Sequence, residues 1–196
     1  MTWPIFLAVL LGALLHASWN ALVKSSDDKS MDTALIHVLC SLMAIPLSLY
    51  WGLPSVQSWP FILASLVIHV GYYFALAGAY QHGELSLTYP LMRGVAPILV
   101  ALTSMAVLGE RMTHWGWSGV ALVCAGVLML GSGAVVIENR RAVVFALCNS
   151  VLIALYTVVD AQGARVSGDV LQYVAILFAL EGWPFALLVF MRRKGQ

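Results

Sequence analysis

The chain has 196 residues, of which 61% are hydrophobic and 10% are charged. An ordinary soluble domain has roughly 45–50% apolar and about 25% charged residues, so this composition excludes a soluble globular fold. The net charge of +1, without a clustered basic tract, gives no electrostatic basis for a nucleic-acid partner. Cys40, Cys124 and Cys148 lack metal-type spacing, so we expect no metal site and no cofactor.

Long apolar runs separated by short polar breaks organise the whole chain. A helix needs about 20 mainly apolar residues to cross a hydrocarbon core of about 30 Å, and seven segments qualify. The predicted spans are residues 3–23, 33–51, 60–80, 85–108, 115–136, 142–160 and 171–190. Because the runs are continuous rather than alternating, they favour helices over a β-barrel. The sequence therefore predicts an all-α, multi-pass protein of the cell (inner) membrane.

The first predicted span carries a polar stripe. Gly12, His16 and Asn20 recur every four residues and so share one helix face. We predict that His16 and Asn20 bind a small polar ligand. Since histidine changes charge near neutral pH, His16 is also a candidate for carrying a proton. An interhelical hydrogen bond from a neutral imidazole explains its position equally well.

A weaker polar pair occupies the third predicted span. His69 and Tyr73 are four residues apart and share a face. We include both as ligand-binding candidates, although such pairs more often serve helix packing.

The fourth predicted span is the most informative segment, because one of its faces is polar at helical spacing. That face consists of Ser86, Tyr89, Arg93, Pro97, Val100 and Ser104. At 1.5 Å per residue, Arg93 lies about 12 Å inside the span. An unpaired guanidinium facing lipid at that depth costs at least a few kcal/mol. Arg93 must therefore face protein, water or a ligand.

Three helix-weakening residues surround that arginine. Pro90, Gly94 and Pro97 free backbone groups that can line a cavity, which predicts a kink and a binding site. We predict that Arg93 and Tyr89 bind a ligand with a carboxylate or phosphate-like group.

A structural role is the alternative for Arg93. The guanidinium would then pair with an acid to lock helix packing. The candidate acids are Glu84, Asp160 and Glu181.

The fifth predicted span contains a groove of small residues. Gly119, Gly126 and Gly133 repeat every seven residues, a spacing suited to close helix contact. We interpret this face as a packing surface or the interface of a homodimer.

Two further positions come from the last two predicted spans. Tyr156 shares a face with Asn149 and Asp160, and we include Tyr156 among the ligand-binding candidates. Glu181 sits alone inside an apolar run. An ionisable residue within a span is a functional candidate by default, so we predict that Glu181 couples a proton to the protein's activity.

A weak internal repeat has an offset of 137 residues. It pairs Trp19-Asn20 with Tyr156-Thr157, and Asp32 with Asp169. Five spans separate the copies, and an odd number would invert the second copy in the membrane. We therefore divide the chain into residues 1–137, a five-helix repeat, and residues 138–196, two helices of an incomplete second repeat.

Three stretches resemble the EamA-like permeases of the drug/metabolite transporter superfamily. They are LLHASWNALVK at 14–24, AYQHGELSLTYPLMRG at 79–94 and LGER at 108–111. In addition, LVCAGVL at 122–128 is similar to the last helix of the small multidrug resistance proteins. The resemblance covers roughly residues 5–135.

The resemblance implies a fold and an activity. Members of the family have ten helices, arranged as two inverted halves around a central cavity, and they import, export or exchange small metabolites. Only seven spans are predicted for this sequence. The small multidrug proteins carry an acidic proton site in the first helix, where this chain has His16. The function expected here is alternating-access transport of a small polar, and from Arg93 anionic, metabolite by a protein that is not an enzyme.

Two other functions are compatible with parts of the pattern. A channel would also use polar stripes to line its pore. An intramembrane serine protease of the rhomboid type is suggested by Gly116-Trp117-Ser118-Gly119, which fits a GxSG motif. The required histidine base would have to be His114, because no histidine follows it.

Overall fold

The computed structural model describes residues 3–109, 111–130 and 140–194. Within these residues the chain forms α-helices and one short 3-10 turn, and no β-strand. The helices are α1 (Trp3–Ser25), α2 (Lys29–Trp51), α3 (Trp59–His82), α4 (Leu85–Leu108), α5 (His114–Leu130), α6 (Arg140–Val166) and α7 (Val170–Lys194). The all-α prediction is confirmed.

Each predicted span overlaps one of these helices. Five of them, α2, α3, α4, α6 and α7, are long and apolar enough to cross a membrane. α1 and the 17 described residues of α5 complete the expected set. The last part of the fifth predicted span, residues 131–136, lies outside the described residues. The chain is therefore a multi-span helical membrane protein.

Local sequence signals explain where several helices begin and end. The Asp28 carboxylate accepts a hydrogen bond of 2.9 Å from the Met31 N–H and so caps the start of α2. Gly52, with φ 84°, ends α2, and Gly109, with φ 66°, ends α4. Glycine adopts this left-handed conformation without steric cost.

The two C-terminal helices pack inside the bundle rather than beside it. α6 lies against both α3 and α4, and α7 packs along α2. The main core contains Tyr73, Leu76, Tyr80, Ile153 and Phe185, from α3, α6 and α7. α1 and α5 make fewer contacts and lie at the edge. The division into residues 1–137 and 138–196 stays a prediction.

The backbones of α2 and α7 approach closely. The Ser41 hydroxyl donates to the Phe178 carbonyl oxygen over 2.7 Å, and the Gly182 N–H donates to the Ser41 oxygen over 3.1 Å. A Cβ atom at Gly182 would collide with the backbone carbonyl of His37. Ser41 and Phe178 are 137 residues apart, the offset of the predicted repeat, which itself stays a prediction.

Polar contacts tie the loops together at opposite ends of the bundle. At one end, Lys24 Nζ donates to the Gly83 carbonyl oxygen over 2.9 Å and so joins α1 to the α3–α4 connection. At the other end, the Ser55 hydroxyl donates to the Val166 carbonyl oxygen over 2.7 Å. These bonds satisfy backbone groups that the ends of helices leave unpaired.

The outer surface of the bundle is apolar. Large side chains with most of their area exposed include Met43 (75%), Leu49 (79%), Val67 (74%) and Leu122 (77%). A soluble monomer rarely exposes contiguous apolar patches above a few hundred Å². Lipid is the solvent that such a surface fits.

Candidate functional site

Arg93 lies inside α4, about 12 Å from the start of that helix. α4 continues as a helix through Pro90 and Pro97. Because proline has no N–H, the carbonyl of Arg93 lacks its usual donor four residues later. The guanidinium contacts Nε2 of His16 on α1 and lies 5.8 Å from the centre of the Tyr89 ring. The site thus brings together side chains of α1 and α4.

The acids considered as partners for Arg93 lie against other groups. Their partners are Lys24 for Glu84 (3.8 Å), the Tyr173 hydroxyl for Asp160 (2.9 Å) and His69 for Glu181 (3.7 Å). Within the part of the chain that the structure describes, no carboxylate lies within ion-pair distance of Arg93. The contacts therefore do not support the structural alternative for this arginine.

His16 receives more donors than an imidazole can accept. The indole N–H of Trp19 donates to Nδ1 over 3.1 Å, while the Arg93 guanidinium contacts Nε2. A neutral imidazole has one acceptor nitrogen and carries its proton on the other, and a protonated one has no acceptor. One of the two donors is thus always left over. An additional acceptor beside Arg93 would satisfy it.

A cavity of about 420 Å³ opens beside Arg93. It lies between α4, α5 and α6, and apart from Arg93 its wall is almost entirely apolar. The lining residues are Arg93, Ala96, Pro97, Val100, Ala101, Ser104, Met112, Val120 and Ile153. Pro97, Val100 and Ser104 belong to the polar face predicted for the fourth span. The volume is within the range of small-molecule sites, which have mostly apolar walls and a few polar groups.

A narrow cleft continues from the same arginine towards α1 and α3. Its polar lining includes Asn20, Tyr72, Tyr80, Tyr89 and Asn149, and it shares Arg93 and Ile153 with the cavity. Asn20 is 3% exposed, and both ends of its side-chain amide are hydrogen-bonded. Its amide donates to the His16 carbonyl oxygen over 2.7 Å, and its oxygen accepts from the Tyr80 hydroxyl. Asn20 thereby fixes the positions of its neighbours.

Glu181 belongs to a second polar cluster, on α7. Its carboxylate lies 3.7 Å from Nε2 of His69 on α3. The two residues are 6% and 8% exposed. His69 Nδ1 lies 2.9 Å from the Ser65 carbonyl oxygen. Since that nitrogen must donate to a carbonyl, it carries a proton, and Nε2 can hold a second one shared with the carboxylate.

Aromatic rings cover this second cluster. The Tyr156 ring stacks on His69 with 4.4 Å between ring centres, and Tyr73 lies 6.0 Å from the same imidazole. His37 of α2 packs on Tyr73 at 4.1 Å. Tyr72 contacts Tyr156 at 5.7 Å and also lines the cleft near Arg93, so it stands between the two polar regions.

The structure therefore divides the predicted residues into two groups. His16, Asn20, Tyr89 and Arg93 lie together at the cavity and cleft. His69, Tyr73 and Tyr156 gather around Glu181 instead. Their roles in binding or proton coupling stay predictions.

Sequence reasoning missed the polar face of α2. Thr33, His37 and Ser41 recur every four residues and point to α3 and α7: His37 contacts Tyr73, and Ser41 binds the backbone of α7. The spacing was a visible signal of the same kind as the stripe in the first span. Serine and threonine give a weak signal in membrane helices, because they commonly bond to their own backbone, as the Thr33 hydroxyl does to Lys29 O over 2.7 Å.

The features of α5 lie apart from both regions. The Ser118 hydroxyl is exposed and donates to the His114 carbonyl oxygen of its own helix over 2.9 Å. Gly119 and Gly126 are exposed and have open space where a Cβ would stand, while Gly133 lies outside the described residues. The dimer surface stays a prediction. Among the described residues, no group of three or more His, Cys, Asp or Glu side chains is placed to hold a metal ion.

The helical bundle, its apolar surface and comparison with known proteins define a membrane transporter. The chain belongs to the EamA-like transporter family, whose model matches residues 2–132. This family consists of transporters rather than enzymes, so it gives no support to the protease alternative.

One curated relative is an exporter. The chain is similar to the spermidine export protein MdtI of Photorhabdus laumondii, with 33% identity over 74 residues. The matched region covers 38% of this chain and 67% of that protein. No solved structure matches the chain.

Proposed function

We propose that the protein is an alternating-access carrier of a small polar metabolite whose negatively charged group binds Arg93. The observation that carries this proposal is the surplus of donors at Arg93. The guanidinium has no carboxylate partner among the described residues, and it competes with Trp19 for the one acceptor of His16. A cavity of about 420 Å³ lies directly beside it. An anionic group entering that cavity supplies the missing acceptor.

The neighbouring side chains have distinct roles in this proposal. Tyr89, whose ring lies 5.8 Å from the Arg93 guanidinium, orients the substrate directly. Asn20 does so indirectly, because its hydrogen bonds hold α1 and Tyr80 in place around the site. His16 couples a proton to binding: a second positive charge beside Arg93 is unfavourable until an anion neutralises the guanidinium. The anion and the proton would then bind together. The carrier acts in the cell (inner) membrane, and the Gly119 face of α5 is its dimer surface.

Glu181 is the second proton-coupling group in this proposal. A buried charge is costly unless it is paired, and the carboxylate shares its site with His69 at 3.7 Å. Titratable groups on the neighbouring helices influence whether Glu181 holds a proton. They are His37 and Cys40 of α2, His69, Tyr72 and Tyr73 of α3, Tyr156 and Asp160 of α6, and Tyr173 of α7. Movement of α7 relative to α3 would break the pair and require a proton to be bound or released.

The test is uptake of radiolabelled anionic and neutral metabolites into proteoliposomes. We expect saturable uptake of anions by the unmodified protein. Arg93→Ala should lower that uptake by about 30-fold or more, because it removes one member of a desolvated charge pair. Arg93→Lys should be intermediate, since lysine keeps the charge but loses the planar fork.

Arg140→Ala is the matched control, because Arg140 is exposed at the start of α6, away from the cavity. This control should leave uptake unchanged. Normal uptake kinetics in Arg93→Ala, at normal membrane levels, would falsify the proposal. Uptake that never saturates would favour the channel.

A second candidate function is export of a cationic amine. Two observations favour it. One is the similarity to a spermidine export protein, and the other is a pair of acids, Asp160 and Glu181, that contact Tyr173 and the Tyr156-stacked His69. The same proteoliposomes loaded with spermidine distinguish the candidates. Amine transport should survive Arg93→Ala and fail in Glu181→Gln, the reverse of the pattern expected for an anion.

A further inference from the structure

The cavity beside Arg93 has one charged end and an otherwise apolar wall. Arg93 lies at one end of its α4 side and Ser104 at the other, about 16 Å apart along the helix at 1.5 Å per residue. The remaining lining residues are Ala96, Pro97, Val100, Ala101, Met112, Val120 and Ile153. Apart from Arg93 and Ser104, the lining therefore offers a ligand no strong side-chain hydrogen-bond donor or acceptor.

Short side chains on α4 leave this space open. Ala96 and Ala101 fill little of the region in front of the helix, while Ile153 of α6 and Val120 of α5 close its other sides. The volume of about 420 Å³ equals that of about 14 molecules of liquid water. An acid group together with an apolar body of several carbon atoms fits within it.

The chemistry of the wall favours an apolar body over a polar one. Each methylene moved from water to such a wall strengthens binding about three- to fourfold. A hydroxyl in the same place loses its hydrogen bonds to water without replacement, which weakens binding about tenfold.

The charged end makes a wholly apolar occupant unsuitable. Among the described residues, no carboxylate lies within ion-pair distance of Arg93. A hydrocarbon filling the cavity would seal this guanidinium away from water without an anion, which is costly. The occupant that fits both ends carries an anionic head and an apolar body.

We propose that the substrates are organic acids with one ionised head, held by Arg93, and an apolar body that lies along α4 towards Ser104. This inference rests on the proposed function and narrows its substrate class. Val100, halfway along the α4 wall, and Val120 on α5 are then specificity-determining residues that set the length of body the cavity accepts.

The experiment uses labelled alkanesulfonates in proteoliposomes, because a permanently ionised head crosses hydrocarbon poorly without a carrier. From ethanesulfonate to butanesulfonate and hexanesulfonate, we expect kcat/KM to rise about threefold for each added methylene. Pentanesulfonate should exceed 4-hydroxybutane-1-sulfonate, in which a hydroxyl replaces the terminal methyl group, by about tenfold.

Two variants change the cavity without touching Arg93. Val100→Phe fills part of it and should lower kcat/KM for hexanesulfonate about tenfold, the usual effect of overpacking, while ethanesulfonate changes less than about twofold. Val120→Ala enlarges the cavity from the α5 side and should shift the preference to longer chains, raising octanesulfonate relative to hexanesulfonate by about threefold. It also keeps the test possible if Val100→Phe does not reach the membrane.

Leu102→Phe is the matched control. It adds the same ring to α4, but Leu102 is 50% exposed and does not line the cavity. This variant should keep the chain-length preference of the unmodified protein.

The outcomes separate this inference from the function on which it rests. Uptake that depends on Arg93 but shows no preference for chain length or against the hydroxyl would overturn the apolar body and leave the anion carrier standing. The same chain-length preference in the residual uptake of Arg93→Ala would assign that preference to the bilayer and also overturn it. So would an unchanged length preference in both cavity variants. If no sulfonate is taken up, and none binds the detergent-solubilised protein in calorimetry, both proposals fall together.

Discussion

The Arg93 region and the Glu181 region place an ionisable side chain inside the membrane in different surroundings. Arg93 is half-buried, faces more donors than acceptors and borders a cavity of about 420 Å³. Glu181 is 6% exposed and lies 3.7 Å from the His69 imidazole, on which the Tyr156 ring stacks. Among the described residues, Arg93 has no acidic partner, whereas Glu181 has His69 beside it.

This difference between the two regions predicts different consequences of mutation for activity and for stability. A buried ion pair is expensive to break, and its net contribution to stability is small once desolvation is counted. An ionisable residue within a span that has no internal acid partner adds little to stability and is a candidate for ligand binding. Removing a partner in the Glu181 region should therefore damage the fold, whereas removing Arg93 should damage activity alone.

The largest effect that would test this comparison is expected for His69→Leu. It leaves the Glu181 carboxylate buried without its partner and should lower the free energy of unfolding by about 3–5 kcal/mol. The double variant His69→Leu/Glu181→Leu should recover most of that loss. Arg93→Leu should change stability little. Unfolding in detergent micelles measures all three, and a loss in His69→Leu no larger than that in Arg93→Leu would remove the distinction.

A smaller effect is expected where α2 and α7 meet next to Glu181. Gly182→Ala places a Cβ against the backbone carbonyl of His37 and 2.7 Å from the Ser41 hydroxyl oxygen. Since the backbone cannot move aside cheaply, we expect a loss of about 1–3 kcal/mol in the free energy of unfolding.

Gly119→Ala is the control for that substitution, because no heavy atom lies within 4 Å of its added Cβ. It should leave monomer stability unchanged and, if α5 forms the dimer surface, weaken dimerisation. Equal stability of Gly182→Ala and Gly119→Ala would show that the close contact between α2 and α7 does not stabilise the Glu181 region.

Helical spacing in the sequence predicts which residues share a helix face, but it does not predict which helices pack against each other. The stripes of His16 with Asn20 and of Tyr89 with Arg93 meet in the structure, because a polar face inside a membrane has to find another polar surface. The grouping of His69 with Tyr156 and Glu181 depends on α6 packing between α3 and α4 and on α7 packing along α2. Periodicity within one helix carries no information about that order.

The depth of a residue along its helix can also be predicted from the sequence. Which buried polar atoms find a hydrogen-bond partner cannot. The position of Arg93 follows from counting residues at 1.5 Å each. The side-chain oxygen of Asn149 is buried without a hydrogen-bond partner among the described residues. This depends on the Tyr72 carbonyl, 77 residues away, which takes the amide donor, and on Asn20 and Tyr80 already being bonded to each other. Only three-dimensional contacts reveal which polar atom is left over.

The smallest effect, and the finest test of the Arg93 region, is expected for His16→Gln. Glutamine offers an acceptor to the guanidinium but cannot take up a proton, so uptake of an anion at neutral pH should fall only about two- to threefold, a cost below the usual value of one hydrogen bond. In the unmodified protein, the anion lets His16 bind a proton beside Arg93. Uptake should therefore rise as the pH falls, by at most about tenfold per pH unit for one coupled proton. His16→Gln should flatten that rise, because glutamine cannot bind the coupled proton. A pH dependence that survives this substitution and disappears in Glu181→Gln would show that the coupled proton binds Glu181 rather than His16.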